Sequence, residues 1–515
     1  MILLVLLVIY IGIYFYIRKN PKAEAHGVVP YGPLIMIRTK WGLKMMDRLA
    51  VHRRFWRFMG SVSMVISFIL MAGIVLILAI DVLALPAAMR ADGIGIEYAL
   101  AIPGLNPMLP LVYGIIGLVI AMVIHELSHG IQSRANDVPV ESSGILYGVV
   151  PLGAFVEPSQ DGIQRASRRA KMDIYAAGIT TNFIASLVLF TVLFFSMTGG
   201  LVCDHSESPA VYGIANDSPA SGADIPVSSI IVSIGDGTEV VEIDTVPELM
   251  DYINSHASTE FTRYDVCFLH DGEYLERNLP MGACVSFVDS RSPAMALPGL
   301  SSGSMIVAMG TDPASMVPVA FPADIGTIAS QYAPGELVYV KYTDPDYNVH
   351  TAAVHLGDKD GHGYLGVGTS FSGFQLVTPD MVLNQGINPF YGADSITDVA
   401  TGMFRFIGAP FNGFSPVPEN VTWWFDCTVM NDGVFWILMF IIYWTMWLNL
   451  VLGISNALPC HPFDGGPLFL GGIDWLMEKF GVEASRREGY VNIISNLSTV
   501  TVMMVMGLVL IAIIF

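Results

Sequence analysis

Six stretches of the chain are apolar on every face, without the rhythm of a half-buried helix or strand: roughly 2–17, 59–86, 109–131, 174–198, 433–456 and 491–515. About 20 such residues cross a bilayer as a helix, so the pattern predicts six transmembrane helices. The first is short. No basic stretch precedes it and no small-residue cleavage site follows, so it reads as a retained helix rather than a signal peptide.

Between residues 199 and 432 the rhythm changes. SPASGADIPVSSIIVSIGDGT (218–238) and SPAMALPGLSSGSMIVAMGTDP (292–313) start alike, reach a β-rich run and end in a turn. Each is followed by a helix-like stretch, VPELMDYINSH at 246–256 and FPADIGTIASQ at 321–331. Two alternating strands then close each unit, at 264–281 with an Asp-Gly turn and at 336–356. A repeat of this length marks a module used twice. The order strand, helix, hairpin resembles the PDZ domains of bacterial and archaeal proteases, which capture extended peptides along a sheet edge.

The expected fold is a polytopic α-helical membrane protein with an inserted α+β segment of two PDZ-like domains. Its layout would be an N-terminal helix and basic linker (1–58), a second helix and outer loop (59–108), and the first part of a membrane core (109–198). Two β-rich modules (199–287 and 288–372), a connector rich in Gly, Pro and aromatics on the membrane surface (373–432) and the second part of the core (433–515) would follow.

Composition agrees with this layout. Of 515 residues, 53% are hydrophobic and only 14% charged, with a mean hydropathy of +0.57. The net charge of −20 is unevenly spread. Residues 199–432 hold 29 Asp/Glu and six Lys/Arg, so the remainder is slightly positive. A strongly acidic, non-repetitive domain argues against nucleic acid as a partner. Loop 18–58 carries ten basic residues against two acidic ones. The positive-inside rule makes that loop cytoplasmic, together with 132–173 and 457–490, and puts 199–432 outside. Cys203, Cys267, Cys284 and Cys427 then lie in an oxidising compartment, where bridges 203–427 and 267–284 are expected. Cys460 lies on the cytoplasmic side.

One apolar run ends in ionisable residues. AMVIHELSHG (121–130) carries His125, Glu126 and His129 at the inner end of the third predicted helix. Such groups are costly in hydrocarbon and are usually functional there. His125 and His129, four apart, share a helix face and can bind one zinc ion through imidazole nitrogens. Glu126 beside them can take a proton from water that zinc has made acidic. Zinc needs a third protein ligand. Asp137, Glu141, Glu157, His461 and Asp464 are candidates, with Cys460 a softer one. Asp464 stands out because NALPCHPFDGG (456–466) follows the fifth span at the depth of HELSH, and irregular backbone at that depth must line a cavity.

HExxH on one apolar helix and Asn-x-x-Pro…Asp-Gly after a later one resemble the site-2 proteases, a family of intramembrane zinc metalloproteases. The inserted PDZ-like segment and the extra N-terminal spans are similar to eukaryotic and some archaeal members. The resemblance implies His125, His129 and Asp464 as ligands of one catalytic Zn²⁺ and Glu126 as general base and acid. It also implies single-span membrane proteins as substrates, with the PDZ-like pair binding a peptide or ectodomain remnant.

A Gly-Pro-x-x-Asn-like stretch of the family appears here as Gly178-Ile179-Thr180-Thr181-Asn182, without the proline. Asn182 and Asn456 could hold the substrate backbone or an oxyanion, or simply tie helices together. His461 reads as a pocket residue that supports a ligand rather than as a ligand. Residues 142–159 form two β-like runs around a Pro-Leu-Gly turn and resemble the family's re-entrant hairpin, whose edge could pair with an unwound substrate. Two rivals remain at this stage: a non-catalytic zinc-binding receptor or scaffold working through its PDZ-like domains, and a zinc transporter. Glu126 argues against the first. The scarcity of ionisable residues on the other helices argues against the second.

Overall fold

The computed structural model describes residues 2–88, 103–148 and 151–514. Most of the expected outer loop before the HELSH helix, residues 89–102, lies outside the described residues. The chain divides into two compact units. One comprises residues up to Gly199, Pro410–Ser415 and residues from Gly433 onward; the other comprises Gly200–Ala409 and Pro416–Asp432.

The first unit is helical. Helices α1 (Ile2–Lys19), α2 (Leu43–Leu49), α3 (Arg53–Ala88), α4 (Leu111–Ala135) and α5 (Arg168–Gly200) come from its N-terminal half. Among the described residues five helices are long and apolar enough to cross a membrane. They are α3, α4, α5 and two helices near the C-terminus, Asp432–Asn456 and one beginning at Ala484. In four of them little of the apolar surface is covered by protein, down to 6% of the most apolar window in the last, whereas half of that window is buried in Asp432–Asn456. Such surface needs lipid rather than water around it. The protein is therefore an integral membrane protein. The expected first span is helix α1, held by the Tyr10 and Tyr14 hydroxyls, which donate to the carbonyls of Pro33 and Gly32.

Small residues set how closely the helices approach, as is usual where lipid removes the hydrophobic drive for packing. A Cβ on Gly117 of α4 would stand 3.0 Å from the backbone at Trp444 and Thr445. One on Gly453 would stand 3.1 Å from the Ile179 carbonyl oxygen of α5.

A four-stranded antiparallel sheet completes this unit, in the order β1 (Val28–Tyr31), β2 (Leu34–Thr39), β3 (Val140–Tyr147), β4 (Pro151–Pro158). The hairpin β3–β4 was expected, but its Pro-Leu-Gly turn is not a turn. Pro151 and Gly153 already pair with Tyr147 and Leu146 as part of β4. The true connection includes residues 149–150, outside the described residues. The hairpin β1–β2 was not expected. It arises from the apolar VVPYGPLIMI run in the basic linker, with Gly32 at φ +57° in its turn. β2 pairs along β3 from Ile35↔Tyr147 to Thr39↔Ser143. The sheet lies against the C-terminal end of α4, where Met46, Ala50, Ile131 and Val140 form a small core with Val156.

The second unit is β-rich and repeats itself as the sequence suggested. Strand β6 (Ile230–Gly235), helix α6 (Val246–Ser255) and hairpin β8–β9 (Tyr264–His270, Glu273–Leu279) form one set. The other is β11 (Ile306–Gly310), α7 (Pro322–Ala329) and hairpin β13–β14 (Leu337–Thr343, Val349–His355). Asp271 and Gly272 both adopt positive φ in the β8–β9 turn, as a two-residue type I′ turn requires. Each set closes its own core, one around Ile231, Leu249 and Phe268, the other around Met309, Ile325 and Val340.

The larger sheet runs β9-β8-β6-β5-β16-β15-β10, with β5 Ala210–Ile214, β10 Ala283–Val288, β15 Val367–Phe371 and β16 Phe374–Val377. A short β7 (Val240–Glu242) pairs off β6, and β12 (Val317–Pro318) borders β11 in the smaller sheet. The chain thus leaves the second core and returns to complete the first sheet. Residues 396–408 form helix α8 (Ile396–Gly408), whose Ile396, Met403 and Phe404 are exposed.

All five cysteines are free thiols, so neither expected bridge is present. Cys267 lies on β8 and Cys284 on β10, with four strands between them in the sheet order. A disulfide needs Cα atoms within about 7 Å. Cys427 pairs opposite Leu201 rather than Cys203.

Candidate active site

Helix α4 brings His125 and His129 to one buried face, as their spacing demands. Their ring centroids are 4.7 Å apart and nearly perpendicular. The two Nε2 atoms lie 3.1 Å from each other. Both face the same carboxylate oxygen: Asp464 Oδ2 is 3.0 Å from His125 Nε2 and 3.1 Å from His129 Nε2.

Asp464 arrives from the far side of the chain. Helix α9 (Asp432–Asn456) ends at Asn456, an irregular turn follows, and Asp464 stands immediately before helix α10 (Gly465–Lys479) without a side-chain cap hydrogen bond. Two glycines make that turn possible. A Cβ on Gly465 would stand 2.4 Å from the carbonyl oxygens of Ala457 and Leu458, and one on Gly466 2.8 Å from the Cys460 carbonyl. The last helix, α11 (Ala484–Ile514), ties to the same region. Arg168 at the start of α5 and Arg487 of α11 both pair with Asp474 and Glu478 of α10.

Helix α5 closes the other side of the histidines. The Ile174 carbonyl accepts a hydrogen bond from His129 Nδ1 at 2.8 Å. A carbonyl can only accept, so the proton of a neutral His129 sits on Nδ1 and the Nε2 lone pair faces Asp464. Gly178 lies flat against both rings. A Cβ there would stand 2.4 Å from His129 Nε2 and 2.6 Å from His125 Cε1. Four residues further on, the fully buried Asn182 places its side-chain amide 3.4 Å from His125 Nδ1.

This donor set suits a cation. A His129 lone pair, a His125 ring nitrogen and a carboxylate oxygen converge, and their ligand atoms all lie within 4.8 Å of one another. Crowding electron pairs in a space shielded from water is unfavourable unless a positive charge lies between them. Two imidazoles and one carboxylate are also a usual protein ligand set for catalytic zinc, which keeps a fourth position open.

Glu126 points to the sheet. Its Oε2 accepts a hydrogen bond from the Val156 N–H at 2.9 Å. Val156 belongs to β4, an edge strand. Glu126, beside the two histidines, and the outer edge of the hairpin therefore meet.

The other sequence candidates are engaged elsewhere. Asp137 pairs with Arg53 and with Arg57, the latter at 2.9 Å. Glu157 pairs with Arg38 at 3.0 Å and accepts from Ser142 at 2.7 Å. Glu141 is exposed. Cys460 is buried among Leu458 and Val502. His461 is exposed, and its backbone N–H donates to the Thr499 hydroxyl at 3.3 Å. Asn456 donates to the Leu452 carbonyl of its own helix at 3.0 Å.

Sequence reasoning noted Gly178 only as the start of the Gly178–Asn182 stretch, without a role of its own, and did not single out the Ile174 carbonyl. A glycine inside a helix, where it costs about 1 kcal/mol relative to alanine, was the available signal for the first; a backbone carbonyl carries none. We expect Gly178→Ala to lower zinc affinity by about 10- to 100-fold, the scale for disturbing groups that orient metal ligands. Zinc content after dialysis against a graded chelator series reads this directly. Unchanged retention would mean the rings can move away from the added methyl.

Two findings from comparison with known proteins bear on this site. The profile of Peptidase family M50 matches residues 113–504, most of the chain. An uncharacterized protein of Methanocaldococcus jannaschii is 33% identical over 199 residues, which is 38% of this chain and 52% of that protein. The chain thus spans about half the length of the curated relative it matches.

Proposed function

This chain belongs to peptidase family M50, the site-2 protease family, and from that premise we propose that it is an intramembrane zinc endopeptidase cutting single-span membrane proteins. The observation that carries the proposal is the convergence of His125, His129 and Asp464 on one point, with Glu126 next to His125 on the same helix. When bound there, zinc supplies a Lewis acid that makes hydroxide available near neutral pH.

The residues divide the remaining work. His125, His129 and Asp464 hold the ion. Glu126 accepts a proton from water and passes it to the leaving amine, the work of a general base and then a general acid. The β4 edge supports a role in holding substrate. The opposite side of β3 is taken by β2, so an unwound substrate segment would add along β4, where Glu126 now meets the Val156 N–H. An opened substrate helix would find its missing backbone partners there.

In the same reading α1 is a sixth span and the basic loops face the cytoplasm, with the active site near that side. The repeated β-rich sets, taken as PDZ-like, face outward and receive a peptide or ectodomain remnant. Helix α8, with its exposed apolar side chains, lies on the membrane surface. A purely scaffolding role has no use for Glu126.

The test is cleavage in reconstituted bilayers. The purified chain is expected to cut a model single-span protein within or beside its span. A zinc chelator should stop the reaction, and zinc added back should restore it. A protein that holds one zinc per chain yet cuts no such substrate would favour the receptor reading.

A further inference from the structure

Each histidine turns one ring nitrogen toward Asp464 and has a second that needs its own partner. For His129 the partner is the Ile174 carbonyl, at 2.8 Å. For His125 the neighbour is the Asn182 amide, 3.4 Å from Nδ1. Asn182 is completely buried, and its Oδ1 has no hydrogen-bond partner among the described residues. Buried amide oxygens are rarely left so.

The surroundings limit where that amide can turn. Helix α9 packs over it, with the Cβ position of Gly453 3.4 Å from Asn182 Cβ. Residues 174, 178 and 182 then form one stripe along α5 at four-residue spacing. The stripe offers a carbonyl to His129, an open surface to both rings and an amide to His125.

We propose that Asn182 is the positioning residue of His125, setting which ring nitrogen carries the proton. The inference rests on the metal-site reading above. A neutral imidazole that binds metal through Nε2 must carry its proton on Nδ1, and that N–H needs an acceptor. Half a turn of the Asn182 amide exchanges its two ends. Oδ1 then accepts from Nδ1–H, and the orphaned oxygen gains its partner. In the opposite orientation Nδ2 donates to a bare Nδ1 while Nε2–H donates to Asp464. An amide therefore serves both tautomers of His125, whereas a backbone carbonyl such as Ile174 serves one. This differs from holding substrate, because Nδ1 is on the side of the ring away from the converging ligands.

The experiment compares the full chain with Asn182→Leu, Asn182→Asp and Ser186→Ala. Ser186 is also buried, one turn further along α5, and is the control. Zinc affinity is read by chelator competition, and the absorption of bound cobalt(II) reports ligand geometry. Leucine fills similar volume but accepts nothing, and is expected to weaken zinc binding about 10- to 100-fold. Aspartate accepts from Nδ1–H and should stay within about threefold of the wild type, with the wild-type cobalt spectrum. Ser186→Ala should match the wild type.

Wild-type affinity in the leucine variant would overturn the proposal. So would an aspartate variant as weak as the leucine one, because Asn182 would then serve only packing. Failure of the unmodified chain to bind zinc would instead bring down the metal-site reading, and this inference with it.

Discussion

Glu126→Gln is expected to remove cleavage and leave zinc in place. Glutamine matches glutamate in shape, and its side-chain oxygen can still accept from the Val156 N–H, so the contact between α4 and β4 survives. His125, His129 and Asp464 do not depend on Glu126 for their mutual geometry. What disappears is a carboxylate able to take a proton and return it. General acid–base groups contribute about 10²- to 10⁴-fold to rate, and here one group would serve both steps. Turnover of a single-span substrate, at matched zinc content, should fall at least into that range. Activity within about tenfold of wild type would exclude Glu126 as the proton carrier and shift attention to another group near the cluster.

Asp464→Ala acts on the other half of the site. The carboxylate is the partner that both Nε2 atoms share. Zinc held by a full ligand set contributes about 10–16 kcal/mol, or roughly 3–4 kcal/mol for each ligand. Losing one should weaken binding by on the order of a hundredfold or more, since about 1.4 kcal/mol is a factor of ten. Zinc per chain after dialysis should drop well below that of the wild type, and cleavage should drop with it. His461→Ala is the natural contrast, because His461 is exposed and its one assigned contact is made through the backbone. Equal zinc retention in Asp464→Ala and wild type would remove the aspartate from the ligand set.

The membrane spans were legible because lipid exposure and burial demand the same residue types, leaving unbroken apolar runs. The repeat in the second unit was legible for a different reason. Its strands alternate and its Asp271-Gly272 turn carries a backbone signature that few other residues tolerate. The HExxH spacing put His125 and His129 on one helix face with Glu126 beside them, through helix geometry alone.

The third member of the cluster was less legible. Asp137 and Asp464 are both carboxylates in loops, and only tertiary structure shows that Arg53 and Arg57 occupy the first. The β1–β2 hairpin escaped notice because ten basic residues gave its segment the character of a linker. A lone two-stranded hairpin is marginal, and what stabilises this one is β3, more than 100 residues away. The return of β15 and β16 to the first sheet was hidden likewise, since strand pairing between distant segments leaves no local trace.

That same β2–β3 pairing bears on which parts of the chain make up a working enzyme. A β-strand with one side open is a template for any passing backbone. Here the N-terminal segment takes the β3 side of the hairpin, and on the β4 side Glu126 holds the Val156 N–H, so on the proposed reading a guest would have to displace Glu126 there. A chain cut back to its metal-binding half would have two open sides beside α4, and a substrate could dock on the wrong one. On the proposed reading the first forty residues would act as a blank in a two-place lock, leaving the scissile segment one side of the hairpin on which to be held.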